Sequence, residues 1–280
     1  MTAGPMTASP MTASPVNAPV VCFDLDGVIW RGDDPIPAAA RGISQLRDAG
    51  LRVGFLSNNS SMVLADVVAK LERSGVPATS DDVLTSAVAA GALLRAELQP
   101  GARVLACAGP GVVEALESVG LTAVREPPAA AVVVGFHRDF DYAGLERAAR
   151  ALREGARFVA TNMDATYPTG DGGLIPGAGS LVAAVATASG RTPEIAGKPE
   201  APTVALVHQR LGTRGVMVGD RPSTDGAMAD ALGWPFALVL SGVTAEVAPP
   251  GGEAIPSPPP PYVAADVGEL APRLLAALLP

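Results

Sequence analysis

Aromatic residues are scarce, only 4% of 280 residues. A surface that stacks bases needs such rings in number. The formal net charge of −8 also disfavours a polyanionic partner, so no nucleic acid is expected. Two cysteines, Cys22 and Cys107, cannot build a disulfide framework, and Cys22, inside an apolar run, reads as a small buried hydrophobe. No apolar stretch reaches the ~18–20 residues of a membrane span. The N-terminus lacks the basic start and apolar centre of a signal peptide. No membrane partner is expected, and the cytoplasm is the expected compartment. Lysine is rarer still: Lys70 and Lys198 stand in a chain that otherwise uses Arg.

Apolar residues make up 48% of the chain, much of it Ala, which suits tight packing of helices on a sheet. Residues 1–19 carry MTASP twice in tandem and have nothing to bury, the composition of a disordered tail. A second break, PPGGEAIPSPPPP at 249–261, reads as an exposed stiff loop. Between them the chain alternates. VVCFD is a continuous apolar run, as expected of a strand covered on both faces. A helical pattern follows at 38–49, with Gly50 placed to end it. RVGFLSNN, RVLACAG, AAVVVGF, RFVATN, GVMVGD and FALVLSG are further β-like runs, most of them separated by helical stretches. This rhythm predicts a three-layered α/β protein with a mainly parallel sheet. Ligands in such sheets sit beyond the carboxyl ends of the strands, and several runs end there in polar residues: Asp24 and Asp26, Ser57-Asn58-Asn59, Thr161-Asn162 and Gly219-Asp220.

Asp24 and Asp26 leave one strand end together, and adjacent carboxylates repel unless a cation or a proton lies between them. Mg²⁺ is the natural occupant, being hard, oxygen-seeking and a partner of phosphate. Ser57, Asn58 and Asn59 precede an expected helix at 62–73, where a hydroxyl and free N–H groups can hold phosphate. Lys198, set in AGKPE far from any amphipathic pattern, is a point cation that an acidic protein needs for an anionic ligand. Asp220 is a candidate second metal ligand, and Asp225 is placed to hold a metal-bound water or to orient Lys198. Taken singly each has a plainer reading: turn aspartates, an N-cap, a surface lysine, a helix-start acid. His137 and His208 are too separate in context to suggest a metal pair, and GPGVVEALESVG lacks the full dinucleotide fingerprint.

The set in this order, D-x-D, S-N, a lone Lys, then G-D-x-x-x-x-D, resembles the haloacid dehalogenase superfamily from residue 20 to the end. DGVIWRG, LSNNS, VVVGFHRDFDY, ATNMDATYP, PGAGSLVAAV, IAGKP and VMVGDRPSTD resemble its subfamily of 4-nitrophenyl-phosphatase-like enzymes, which includes phosphoglycolate, pyridoxal-phosphate and glycerol-phosphate phosphatases. The resemblance implies a Rossmann-like core at 20–86 and 191–280 and an inserted α/β cap at 87–190. It also implies a possible homodimer through the cap.

The expected reaction is Mg²⁺-dependent hydrolysis of a small phosphorylated metabolite. Asp24 attacks phosphorus, and Asp26 is the acid and then the base. Asp24, Asp220 and the Asp26 carbonyl hold the metal, while Ser57, the N–H groups near Asn58 and Asn59, and Lys198 surround the phosphate. The loop 162–173 is expected to read the rest of the substrate through Tyr167, with Asp164 and Asp171 disfavouring an extra carboxylate. That points to glycerol 3-phosphate ahead of phosphoglycolate and pyridoxal phosphate. A phosphoacceptor signalling domain would lack the proton shuttle at Asp26 and the cap, and a binding protein would have lost one of the acids.

Overall fold

The computed structural model describes residues 19–169, 173–248 and 252–279. Most of the repeat-bearing tail and Asp171 lie outside these residues. Two parallel sheets organise the rest. The larger runs Tyr262–Ala264, Phe236–Val239, Gly215–Gly219, Val20–Phe23, Arg52–Ser57, Val83–Thr85, all neighbours parallel. The smaller runs Glu194–Ile195, Arg157–Ala160, Ala131–Val134, Arg103–Cys107, Thr122–Val124, again all parallel. Val20–Phe23 is fully buried, which is why it reads as an unbroken apolar run and not an alternating one.

Helices cover both faces of the larger sheet. Pro37–Asp48 opens on Pro37, whose missing N–H costs nothing in the first turn, and buries Ala39, Gly42, Ile43 and Leu46 along one stripe. It joins Leu64–Arg73 and Val267–Leu278 over one face. On the other face, Ser86–Glu97, Ala201–Arg210 and Ala227–Leu232 lie in a cluster that continues into the second sheet through Val104, Val133 and Val159. The two sheets therefore share one apolar core, with Ser86–Glu97 between them. A third cluster lies beneath Tyr142–Arg153 and Ala178–Ser189.

The strands of the second sheet all lie between Arg103 and Ile195, and its edge strand Glu194–Ile195 stands a few residues beyond position 190. The proline-rich segment also carries structure: Glu253–Ala254 pairs in parallel with Thr244–Ala245. Among the described residues no helix is long and apolar enough to cross a membrane.

Candidate active site

The polar strand ends meet at the carboxyl edge of the larger sheet. The Asp24 N–H donates to Val218 O at 2.8 Å, extending the ladder one residue and presenting the Asp24 side chain just past the sheet. The chain then turns tightly: the N–H groups of Val28, Ile29 and Trp30 converge on Leu25 O, and Gly27 N–H donates to Trp30 O at 2.7 Å. Gly27 sits at φ +81°, which a side chain there would strain. This turn folds the Trp30 indole back over Asp26, and Nε1–H donates to Asp26 Oδ1 at 3.0 Å.

Asp220 leaves Gly219 at the end of the neighbouring strand. Its Oδ2 accepts the Val243 N–H at 2.7 Å and is pressed between two glycines. A Cβ at Gly27 would stand 2.4 Å from that oxygen and one at Gly242 only 1.8 Å. Asp225, in the following irregular turn, is buried, and its Oδ2 accepts the Arg221 N–H at 3.2 Å.

Lys198 closes the group. Its Nζ donates to Asp24 Oδ1 at 2.6 Å, Asp225 Oδ1 at 2.7 Å and Leu56 O at 3.2 Å, which engages all three ammonium hydrogens. Burial alone would lower this ammonium's pKa, but the Asp225 and Asp24 carboxylates outweigh it and raise it above its usual value. One cation cannot satisfy three acids. Oxygens of Asp24, Asp220 and Asp225 lie within 4.8 Å of one another. Burial raises Asp24 well above the carboxylate range; Lys198 opposes this, and Asp225 and Asp220 add to it. Burial, then Asp225, push Asp220 up to about 7. An all-carboxylate donor set with excess negative charge fits a hard divalent cation. Asp26 stands apart from these oxygens. Burial raises its carboxyl pKa, while the Trp30 hydrogen bond and the Lys70 charge pull it back.

The Ser57-Asn58-Asn59 stretch divides its work. Ser57 Oγ accepts the Asn59 N–H at 3.0 Å, leaving its hydroxyl hydrogen free to donate. The Asn58 side chain is a strut: Oδ1 accepts the Lys198 N–H at 2.8 Å, and Nδ2 donates to Lys198 O at 3.3 Å and Asp164 Oδ2 at 3.4 Å. Asn59 Oδ1 accepts from Ser61 N and Oγ, and its Nδ2 donates to the Tyr167 hydroxyl at 3.5 Å. Tyr167 arrives on the hairpin Thr166–Pro168 with Leu174–Pro176, its ring stacked on Phe136 with centroids 5.2 Å apart.

The cavity they surround measures about 310 Å³; Asp24, Asp26, Ser57, Tyr167, Lys198 and Asp220 all line it. His137 and His208 do not. His208 packs on Trp234, and His137 turns its Nδ1 to Gly135 O. Cys22 is buried within the strand Val20–Phe23, its thiol pushed up to about 12 by burial. Sequence reasoning passed over Trp30, Gly242, Val243 and Phe136, and noted Gly27 only as the residue that follows D-x-D.

Residues 21–122 match the family model of haloacid dehalogenase-like hydrolases, and residues 195–270 match a HAD-hydrolase-like model. Human glycerol-3-phosphate phosphatase is 36% identical over 252 residues, covering 79% of this chain and 78% of that protein. This chain belongs to the haloacid dehalogenase-like hydrolases. Another relative in this family, the D-glycerol 3-phosphate phosphatase of Mycobacterium tuberculosis, is 42% identical over 223 residues, 79% of this chain. The match takes in 62% of that relative, so the chain spans under two thirds of its length. The fold also matches the crystal structure of glycerol phosphate phosphatase from M. tuberculosis in complex with magnesium. The TM-score is 0.80 at 37% identity, over 90% of this chain and 76% of that one.

Proposed function

We propose that this hydrolase is a Mg²⁺-dependent phosphatase of small phosphomonoesters, glycerol 3-phosphate first among them, acting through a phosphorylated Asp24. The observation that carries this reading is the placement of Asp24 and Asp26 in one cavity with a buried Lys198 between Asp24 and Asp225. Asp24, Asp220 and the Asp26 main-chain carbonyl would hold Mg²⁺, with Asp225 orienting Lys198. When bound, the ion supplies positive charge against the phosphoryl oxygens.

The chain's own groups do the rest. A carboxylate oxygen of Asp24 bonds to phosphorus as the ester P–O bond breaks, and Asp26 gives its proton to the departing alkoxide. Burial favours the protonated Asp26 this step requires. Asp26 then takes a proton from water as that water bonds to phosphorus and the Asp24–phosphorus bond breaks, restoring both acids. The Ser57 hydroxyl hydrogen would meet a phosphoryl oxygen, and the Lys198 ammonium, held against Asp24, lowers through its charge the repulsion that the nucleophile must overcome.

Substrate size follows from the cavity, whose volume of about 310 Å³ lies at the small end of ligand sites. Tyr167 at its wall offers a hydroxyl and a flat face, and Asp164 beside Asn58 would repel a second carboxylate. A neutral polyol phosphate fits better than phosphoglycolate, and pyridoxal phosphate is the bulkiest of the three. Relatives named as glycerol 3-phosphate phosphatases, the human and M. tuberculosis proteins among them, support the same choice. The cytoplasm and a homodimer through the second α/β layer complete the proposal, the dimer being tested by sedimentation. The decisive assay is phosphate release from glycerol 3-phosphate, phosphoglycolate, pyridoxal phosphate and 4-nitrophenyl phosphate with Mg²⁺. Continuous turnover supports an enzyme. A single stoichiometric phosphorylation would mean a switch, and binding without release a sensor.

A further inference from the structure

We infer that Trp30, braced by Lys70, is a positioning residue that fixes which oxygen of Asp26 carries the catalytic proton. The inference rests on the phosphatase reading above. An indole Nε1–H can only donate, and here it donates to Asp26 Oδ1 at 3.0 Å. Oδ1 must therefore accept whether Asp26 is protonated or not. The proton is left to Oδ2, which has no hydrogen bond of its own among the described residues. In the first half of the reaction that proton passes from Oδ2 to the leaving oxygen as the P–O bond breaks. In the second half the same oxygen takes a proton from water. A carboxyl free to rotate would divide its proton between two oxygens and present the wrong one part of the time.

The indole is itself held. Trp30 is 3% exposed, and its backbone closes the turn that begins at Asp26, through Gly27 N–H to Trp30 O. Over its ring sits the Lys70 ammonium, 4.5 Å from the ring centroid. Lys70 comes from the last turn of Leu64–Arg73 and donates to Gly32 O at 2.7 Å, with Asp33 at 3.4 Å. A cation over an indole face is drawn to the ring's negative quadrupole and polarises the N–H toward stronger donation. The chain has two lysines. One contacts Asp24 and the other stands behind the donor to Asp26.

A buried tryptophan could instead serve packing alone, so the test must separate orientation from stability. The quantity read is kcat/KM, which reports steps through the first irreversible one and hence transfer to Asp24. Glycerol 3-phosphate releases a poor leaving group that needs the proton, and 4-nitrophenyl phosphate a good one that needs it little. In Trp30→Phe the ratio of kcat/KM for glycerol 3-phosphate to that for 4-nitrophenyl phosphate should fall about tenfold, the scale of general-acid losses. Replacing Trp30 with its sulfur analogue benzothienylalanine keeps the ring shape and removes the N–H, so it gives the same fall if the Phe variant folds poorly. Lys70→Met should lower the ratio by a smaller factor, and Lys70→Arg should restore it. A ratio within twofold of wild type in the benzothienylalanine protein overturns this inference alone. No turnover of either ester by the wild type would instead remove the phosphatase reading and this inference with it.

Discussion

Gly242→Ala places a single methyl group against the acid proposed to hold the metal. The backbone at position 242 is not left-handed, so alanine brings no conformational penalty there. The added Cβ would lie 1.8 Å from Asp220 Oδ2 and 2.5 Å from Asp220 Cβ. Since real Cβ contacts essentially never fall below 3.0 Å, the carboxylate or the turn must give way by more than about 1 Å. Escape toward Gly27 is closed, because that residue's own Cβ position lies 2.4 Å from the same oxygen. The Val243 N–H bond at 2.7 Å must stretch as well. A misplacement of about 1 Å in a catalytic constellation costs on the order of 100-fold in rate. We expect kcat/KM to fall by about that factor, with a raised Mg²⁺ requirement and native far-UV circular dichroism. The assay is a Mg²⁺ titration of phosphate release by wild type and variant. A variant within about threefold of wild type at every Mg²⁺ concentration would refute the placement of Asp220 in the metal site.

Chelation should abolish turnover and Mg²⁺ restore it, whereas Ca²⁺ should inhibit, because its higher coordination number lets Asp24 bind through both oxygens; full activity in excess chelator contradicts this. Protons should compete with the metal as pH falls through about 7, where Asp220 titrates, so the Mg²⁺ concentration for half-activity should rise on the acidic side. Asp26→Asn should lose more on glycerol 3-phosphate than on 4-nitrophenyl phosphate, and equal losses would count against Asp26 as the acid. Because burial raises Asp26 and the protonated form is the active one, kcat/KM on alkyl phosphates should decline on the alkaline side in the wild type. Tyr167→Ala should alter the ranking of glycerol 3-phosphate, phosphoglycolate and pyridoxal phosphate; the same ranking with efficiencies within about twofold would show that Tyr167 does not read the substrate, since one useful hydrogen bond is worth ~1 kcal/mol.

Much of this site was legible in the sequence for one physical reason. Parallel strands covered on both faces read as unbroken apolar runs, so a polar residue at the end of such a run is placed at the ligand-binding edge before any coordinates exist. Asp24, Ser57 and Asp220 were found that way. The same logic gave the helices to within a residue or two: the pattern at 38–49 became Pro37–Asp48, and 62–73 became Leu64–Arg73. What the sequence withheld were pairings across long separations. Nothing local says that Asn58 braces Lys198, 140 positions away, or that the chain would crowd Gly242 against Asp220. Trp30 carried no signal of its own, because its N–H matters only once a turn has folded it over Asp26. The proline-rich segment gave no strand signal, yet Glu253–Ala254 pairs with Thr244–Ala245, since a two-residue bridge needs no periodicity.

The central claim is that phosphate passes through Asp24. Mixing the Mg²⁺ enzyme with radiolabelled glycerol 3-phosphate, quenching in acid within a turnover and mapping the label by proteolysis tests it directly. Transfer through Asp24 predicts one acid-stable, hydroxylamine-labile label on the peptide that contains VVCFDLDG, absent from Asp24→Asn, whose turnover should be lost with its fold intact. Unlabelled protein during steady turnover, together with an Asp24→Asn variant within about tenfold of wild-type rate, would contradict it, because loss of a covalent path should cost several kcal/mol of barrier.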